Sequence, residues 1–452
     1  MRRARRQQGF IFLLIPPVIA GMLILSAASL TRSLSDRQAA IRFLANQQAF
    51  YLAEGGLDMA LKTLREAPPD QPLPACPPSQ ELSTGSASCA MTTQADGTIL
   101  VTATGSVGTT ATQTITAVMD RPTPLFQWAL FSNGWIYLWS QPGSLVDSYD
   151  SSVGPYDPAA PKTVDATIQT NGSILQESIF QDGVPTEFWA DLVVGPGGDP
   201  TVGSSRTWPC GVICLDDATV LHGQTRAASD PIALPPIIPP AGSPVGSPLT
   251  SCPNPPVLEV SAFAYSSLSM PADCHVTLVG DGIVHLEDLA IGNRSTLTLN
   301  GKIQLVTNSL QYAWTPDDPA PWTMGFPPAT VEIGSGSAEV YLMGSADTWS
   351  VNFVNRTQIP KNLAIYTQSR IYLGVSGSDV SNSFYGVVYA PNSSIDFWGA
   401  YSDQTQFFGS FIGRFVDGYG RQIHYDRALK NPGNTTFSLP LKPARVRLWR
   451  QS

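Results

Sequence analysis

The sequence predicts a mainly β protein, with one long N-terminal α-helix, a small antiparallel sheet and then a large right-handed parallel β-solenoid. Only 13% of the 452 residues are charged, and the chain has 38 glycines and 39 prolines, which argues against a helix-rich cytosolic enzyme. An uncharged apolar segment lies near the N-terminus. Beyond residue 122, short strand patterns recur between Gly, Asn and Asp turns, which is typical of an all-β domain.

The first element is predicted at residues 10–30, which carry no charge and as a helix would span roughly 31 Å, about one bilayer core. Four arginines among the first six residues predict that the N-terminus stays in the cytoplasm and that the rest is exported. Pro16 and Pro17 disturb the helical hydrogen bonds. A secretory signal peptide, cut near the small residues 26–28, is the alternative interpretation.

An amphipathic helix continues from this segment over residues 33–66. Apolar side chains recur there at spacings of 7, 7, 4 and 3, which predicts one shared face: Phe43, Phe50, Leu57, Leu61 and Leu64. Gly55 and Gly56 each cost about 1 kcal/mol relative to alanine in a helix. We therefore expect a close packing contact at these glycines, and prolines at 68 and 69 end the helix.

A small antiparallel sheet is predicted within residues 75–121. Residues 98–104 and 110–118 alternate β-branched or apolar residues with small polar ones, as strands packed on one face do. Two or three such strands would pack on the C-terminal half of the helix.

Six cysteines lie beyond the apolar segment, and their spacings suggest three sequence-local disulfides: Cys76 with Cys89, Cys210 with Cys214, and Cys252 with Cys274. Six cysteines allow 15 pairings, and free structural thiols are the alternative. Disulfides indicate an oxidising compartment.

The β-solenoid is predicted over residues 122–440. Residues 384–392 and 407–413 look alike and begin 23 positions apart, which is typical of successive turns of a solenoid; a β-sandwich stays open as the alternative. A proline-rich connection at 234–256 is expected to be extended, either dividing the solenoid or looping out of it. Residues 441–452 form a small basic tail.

The N-terminal residues resemble a known family. Arg5, Arg6, Gln7, Gln8 and Gly9, followed by Phe10 and an apolar run, resemble the class III signal of type IV pilins. Residues 48–57 are similar to the helix of PilX-type minor pilins, with Glu54, Gly55 and Gly56 in it.

This resemblance implies that prepilin peptidase cuts between Gly9 and Phe10, which removes residues 1–9 as a leader. It also implies that the pilin helix spans 10–67, that the sheet completes the α/β roll of pilins, and that other pilins are the partners. Most major pilins have glutamate at the fifth mature position, where this chain has Leu14. The resemblance therefore favours a low-copy minor or tip subunit.

A second resemblance concerns the C-terminal half. Residues 389–392, 408–410 and 424–429 resemble the closing turns of an uncharacterised β-solenoid domain that often follows PilX-type N-termini. The layout is similar to that of large DNA-uptake minor pilins of thermophilic bacteria.

Catalysis is not expected. Asp216 with Asp217, and the acidic residues around His285, are the clusters that resemble paired carboxylates, but no glycosidase or lyase motif accompanies them. His424 beside Asp426 is expected to be structural, and no cofactor or metal is predicted. Exposed aromatic and arginine side chains are instead candidates for binding DNA or a surface glycan: Trp135, Trp139, Trp398, Arg370 and Arg414. Because the net charge is −9, DNA binding would require a local basic patch.

The sequence therefore predicts a non-catalytic minor or tip-associated pilin. Its helix would hold it in the inner membrane and later pack in the filament, while the β-solenoid would serve adhesion or DNA and partner binding at the cell surface. The alternatives are an anchored or secreted β-solenoid that binds or cleaves polysaccharide, and a structural envelope protein without a ligand.

Overall fold

The structure is a computed structural model, which describes residues 8–66, 73–82, 84–94, 98–109, 111–119, 123–140, 143–178, 185–206, 211–313, 329–374, 383–398, 405–419, 422–430, 441–442 and 446–451. The chain divides into two compact units. The first contains the long helix and an antiparallel sheet, and the second contains a large parallel sheet. The predicted mainly β architecture with one long N-terminal helix is confirmed.

The first unit begins with helix α1, Gln8–Glu66, which continues through Pro16 and Pro17. Four strands follow: β1 Gln80–Leu82, β2 Gly85–Thr93, β3 Ile99–Val107 and β4 Ala111–Met119. They pair antiparallel in chain order. Inward positions of β3 and β4 alternate with half-buried ones, as the period of a strand requires.

Small residues join α1 to this sheet, together with Leu57, Leu61 and Leu64 of the predicted face. The buried helix positions follow one another at spacings of three or four residues, apart from one adjacent pair: Ala45, Ala49, Leu52, Ala53, Gly56, Ala60 and Leu64. Phe43 is instead 61% exposed, and so this part of the predicted face was wrong. Small residues are required around Ala49 because the two backbones come close there, and a Cβ on Gly105 of β3 would overlap the Ala49 carbonyl oxygen.

The second unit contains most of the strands. In chain order they are β5 Thr123–Pro124, β6 Leu130–Ser132, β7 Trp135–Ser140, β8 Leu145–Tyr149, β9 Ala166–Thr170, β10 Ser173–Ser178, β11 Thr186–Phe188, β12 Ala190–Val194, β13 Val202–Ser204, β14 Ile213–Leu215, β15 Thr219–Leu221, β16 Thr225–Ala227, β17 Val257–Glu259, β18 Leu268–Met270, β19 His275–Val279, β20 Gly282–Gly292, β21 Thr296–Ala313, β22 Ala329–Ala346, β23 Val351–Asn355, β24 Leu363–Thr367, β25 Ile371–Leu373, β26 Phe384–Trp398, β27 Gln406–Tyr419, β28 Gln422–Asp426 and β29 Leu441–Lys442. Short 3-10 helices lie at Val260–Ala262, Pro360–Asn362 and Arg427–Lys430.

Parallel pairing does not follow chain order throughout. From β20 to β27 the strands stack successively, through β21, β22, β24 and β26. Then β27 pairs with β6 and β7, and β28 pairs with β8. The early strands β6–β16 therefore extend the stack built by the later strands β17–β28.

In-register pairing places like residues above one another in the core. Buried aliphatic side chains line up on six neighbouring strands at about 4.8 Å spacing: Ile371, Ile395, Val416, Ile136, Ile174 and Ile213. Stacking of this kind buries each side chain between its two neighbours, which is the main stabilising contribution in such a sheet.

The proline-rich connection lies against the sheet. The Tyr389 hydroxyl donates a hydrogen bond to the Pro235 carbonyl oxygen, and Leu234 and Ile237 pack on the core. Leu249 forms a parallel bridge with Leu268. This segment connects β16 to β17 and is anchored along its length.

Strand β30, Val446–Gln451, lies in the predicted basic tail and pairs antiparallel with β4. The second unit is thus inserted between two neighbouring strands of the first unit's sheet. Within the second unit, β5 and β29 pair antiparallel where the chain enters and leaves it.

Candidate functional site

The N-terminal part of α1 is apolar and exposed. An 18-residue window of mean hydropathy 1.5 has none of its surface buried in the chain, so α1 is long and apolar enough to cross a membrane. Met22, Leu25 and Phe43 are each more than 60% exposed. The side chains of Gly9, Phe10 and Leu14, at the predicted cleavage and assembly positions, lie outside the described residues.

Farther along α1, Glu54 is exposed, Gly55 faces open space, and Gly56 is buried. A Cβ on Gly56 would lie 2.7 Å from the Ser88 carbonyl oxygen of β2. The expected close contact therefore exists at one of the two glycines.

Two of the predicted sequence-local disulfides are present, Cys76 with Cys89 and Cys252 with Cys274. Cys214 is also disulfide-bonded, whereas Cys210 lies outside the described residues. Closing loops of this size stabilises a fold by about 3 kcal/mol each.

An aromatic row lies on β7 of the parallel sheet. Ile136 and Leu138 are buried, so the alternating Trp135, Tyr137 and Trp139 share the opposite side of the strand. The ring centroids of Trp135 and Tyr137 are 6.3 Å apart, and those of Tyr137 and Trp139 are 5.0 Å apart. Trp135 is 37% exposed.

Two aspartates continue this side of the sheet on the neighbouring strands. Tyr137 of β7 pairs with Asp417 of β27. Asp417 pairs with Asp396 of β26, and Asp396 pairs with Tyr372 of β25. Two carboxylates therefore lie between two tyrosines on four successive strands, at strand spacings of about 4.8 Å.

Arginines and a phenylalanine complete this surface, which we call the aromatic–carboxylate face. It is formed by Trp135, Tyr137, Trp139, Arg370, Tyr372, Asp396, Arg414, Phe415 and Asp417. The Trp135 and Phe415 rings are 5.0 Å apart, and the Arg414 guanidinium lies 5.0 Å from the Phe415 ring centre. Gly134 permits this arrangement, because a Cβ there would overlap the Phe415 ring.

The two carboxylates of this face have different environments. Arg370 donates from Nε and a terminal nitrogen to Asp396, at 2.6 and 2.8 Å, and the Asp396 side chain is only 3% exposed. Burial and the neighbouring Asp396 charge raise the pKa of Asp417. Its Oδ1 has no hydrogen-bond partner within the described part of the chain.

The structure thus brings together four predicted binding residues, Trp135, Trp139, Arg370 and Arg414. Trp398 is the last residue of β26, and its side chain lies outside the described residues. Sequence reasoning missed Asp396 and Asp417. The repeat of 23 residues would align Asp396 with position 419, but an irregularity after Ala390 shifts the register.

A second polar cluster is buried around His424. Its Nδ1 lies 2.5 Å from Asp147 Oδ1, while Lys162 Nζ is 2.7 Å from Asp147 Oδ2. Burial raises the pKa of Asp147, but the hydrogen bonds and charges of His424 and Lys162 outweigh this and lower it. Burial also lowers the pKa of His424. Tyr156 covers the imidazole, with ring centroids 3.9 Å apart.

A cavity of about 260 Å³ adjoins this cluster and is lined by Asp147, Tyr149, Tyr156, Lys162 and Arg427. His424 itself is fully buried and does not line it. The cluster therefore ties β8, β28 and the loop after β8 together, in agreement with a structural role for His424.

The predicted acidic clusters do not form a common site. Arg206 lies 3.6 Å from Asp216 and 3.9 Å from Asp217. Asp281 accepts a hydrogen bond from the Lys302 backbone N–H at 2.7 Å, as a turn residue does.

These elements define the class of the protein, which is a mainly β chain with one long helix and a large parallel sheet. Residues 272–432 match a family described as a domain of unknown function (DUF7305), which covers the later strands of the parallel sheet and less than half of the chain. No curated protein matches.

Among solved structures, the chain is similar to the crystal structure of competence-associated pilin ComZ from Thermus thermophilus. The identity is 11% and the TM-score 0.24, over 90% of this chain and 98% of that chain. At this score too little structure superposes to carry an argument about function.

Proposed function

We propose that the protein is a minor pilin or tip-associated pilin-like subunit of a type IV pilus system. In this role α1 anchors the chain in the inner membrane and then packs among other pilins, and the second unit is presented at the pilus or cell surface. The observation that carries the proposal is the division of α1 into an exposed apolar part and a part packed on a small sheet.

The boundary between the exposed part and the packed part of α1 lies at Ala45. Between residues 15 and 44 no described side chain is buried, and from Ala45 onward buried positions recur every three or four residues. Exposed apolar surface of this extent requires lipid or a protein partner. A single helix that serves both environments in turn is what a pilin-like subunit requires.

We further propose that the parallel sheet closes into a β-solenoid. Its support is the long series of in-register parallel pairs and the glycines stacked at its corners, where Gly336 lies over Gly301 and Gly301 over Gly280. An insertion between β4 and β30 gives such a domain two covalent attachments to the helix-bearing unit.

The protein is proposed to be non-catalytic. Acid–base hydrolysis of a glycoside needs two carboxylates that both reach the substrate. Asp396 is closed off by its two hydrogen bonds from Arg370 and by burial, which leaves Asp417 without a reacting partner.

The test is the mature N-terminus, measured by mass spectrometry in cells with and without prepilin peptidase. A chain that begins at Phe10 only when the peptidase is present supports the proposal. Gly9→Val should prevent this cut, whereas Gly21→Ala, where a Cβ meets nothing within 4 Å, should not. A chain that begins near Ser29, or an uncut chain, contradicts it.

Polysaccharide cleavage is the second candidate, because Asp396 and Asp417 are paired on neighbouring strands; it would require Arg370 to release Asp396, so that both carboxylates reach the substrate. It predicts new reducing ends when purified protein is incubated with polysaccharide, and their loss in Asp417→Asn. If the release of reducing ends depended instead on Asp216 and Asp217, the catalytic site would lie at those residues and not on the aromatic–carboxylate face.

A further inference from the structure

The aromatic–carboxylate face offers aromatic surface beside polar groups, and the neighbouring rings of β7 pack edge to face. Trp135, Tyr137 and Trp139 lie in a row along β7, and Phe415 extends the row onto β27. A pyranose ring has an apolar face of C–H groups and a rim of hydroxyls. Aromatic rings with polar neighbours suit such a ligand, since ring stacking and hydrogen bonding act side by side.

Hydrogen-bonding groups lie beside this aromatic row, on the neighbouring strands. Asp417 is directly beside Tyr137 in the sheet, and its Oδ1, although buried, has no partner among the described residues. A carboxylate oxygen accepts hydrogen bonds, and sugar hydroxyls donate them. Arg370, whose side chain is 54% exposed, lies two strands from Asp417, directly before β25.

The charges of the face argue against a polyanion. The described charges of the face are balanced, because the two carboxylates, Asp396 and Asp417, are matched by the two arginines. One of these, Arg370, is already paired with Asp396. Phosphate binding relies on cations that are not neutralised, so this face disfavours DNA.

We propose that the aromatic–carboxylate face binds a neutral polysaccharide chain, with sugar rings stacked on Trp135 and Trp139 and sugar hydroxyls hydrogen-bonded to Asp417. The face is assembled from two segments of the chain, β7 and β25–β27. The inference rests on the proposed function in one respect, which is that the helix places this face outside the cell.

The test uses the full chain, purified in a detergent without a sugar headgroup. The probes are hexasaccharides of β-1,4-linked glucose and of β-1,4-linked N-acetylglucosamine, titrated by calorimetry and tryptophan fluorescence. Binding of one hexasaccharide is expected at about 1 mM or tighter. Trp135→Leu and Asp417→Asn should each weaken it about tenfold, through lost stacking and a lost charged acceptor.

The matched control is Trp189→Leu. Trp189 stacks on His222, with centroids 3.6 Å apart, outside the face, so this variant should bind as the unchanged chain does. Circular dichroism identifies any variant that does not fold, and Trp139→Leu then serves as the second test of the row.

Three results would overturn the inference: no binding of either hexasaccharide, equal weakening by Trp189→Leu, or binding of a short DNA duplex that Trp135→Leu weakens. The two proposals fail separately. A chain cut after Gly9 that binds no saccharide leaves the pilin-like role intact, whereas an uncut chain that binds saccharide leaves only the binding face.

Discussion

The helix–sheet unit brings backbones together through small residues at helical spacing, whereas the parallel sheet does so through glycines stacked at one register position. On α1, Gly56 approaches Ser88 of β2. In the parallel sheet, Gly301 lies over Gly280 with φ of +132°. The first contact needs only the absence of a side chain, while the second also needs backbone torsions that other residues rarely adopt.

This difference predicts which substitutions destabilise each unit. A helix can shift slightly away from a sheet to accept a methyl group, because only side-chain packing holds the two together. A strand inside a stack is fixed by hydrogen bonds on both sides, so it cannot move without breaking them.

The largest effect is therefore expected for Gly301→Ala. A Cβ there overlaps the Gly280 carbonyl oxygen, and the φ of +132° adds strain, so the second unit should lose about 3 kcal/mol or more of unfolding free energy. Urea unfolding followed by tryptophan fluorescence measures this, since every tryptophan except Trp449 precedes residue 443. Lys302→Ala, at the exposed neighbouring position, is the control, and equal effects would contradict the stacking argument.

Smaller changes in unfolding free energy, opposite in sign, are expected at the two helix glycines. Gly56→Ala should destabilise the first unit by roughly 1–3 kcal/mol, because the methyl group meets the Ser88 carbonyl at 2.7 Å. Gly55→Ala should stabilise it by about 0.5–1 kcal/mol, because it improves helix propensity in open space. Hydrogen exchange of residues 85–119, measured by mass spectrometry, reports this unit. Stabilisation by both variants would show that α1 does not pack there.

The third effect concerns acid stability of the parallel sheet. The pKa of buried His424 is lowered from 6.5, so the unfolded chain binds a proton before the folded chain does. Unfolding free energy should thus fall as the pH drops below 6.5, by at most about 1.4 kcal/mol per pH unit. The lowered pKa of Asp147 acts in the same direction only nearer pH 3.8.

His424→Phe should remove the slope between pH 6.5 and 5, whereas His275→Gln, at an exposed position, should keep it. Urea unfolding at several pH values measures the slope. An unchanged slope in His424→Phe would assign the acid sensitivity to other groups.

The helix was predictable because its signal is local. An uncharged apolar run and periodic apolar positions mark α1 in the sequence, and alternation marks β3 and β4. The predicted face was right at Leu57, Leu61 and Leu64, which pack on the sheet, but wrong at Phe43, where the helix faces outward. Alanines carry too weak a hydropathy signal to reveal a packing face that is selected by size.

The candidate binding residues were predictable by type and not by arrangement. Tryptophans and arginines stood out in the composition, but Asp396 and Asp417 became neighbours only through strand register. The irregularity after Ala390 changes that register, and no simple repeat length contains it.

The sequence by itself determined the apolar helix, the small sheet, two sequence-local disulfides and the β-rich character of the remainder, since each depends on residues close together in the chain. The tertiary structure decided the order of the parallel strands, the return of β30 to the first sheet and the aromatic–carboxylate face. For example, the Ser132 hydroxyl donates a hydrogen bond to the backbone carbonyl oxygen of Arg414, a residue of this face that lies 282 positions further along the chain. Contacts at such separations leave no periodic trace, because parallel pairing is specified by the fit of whole strands.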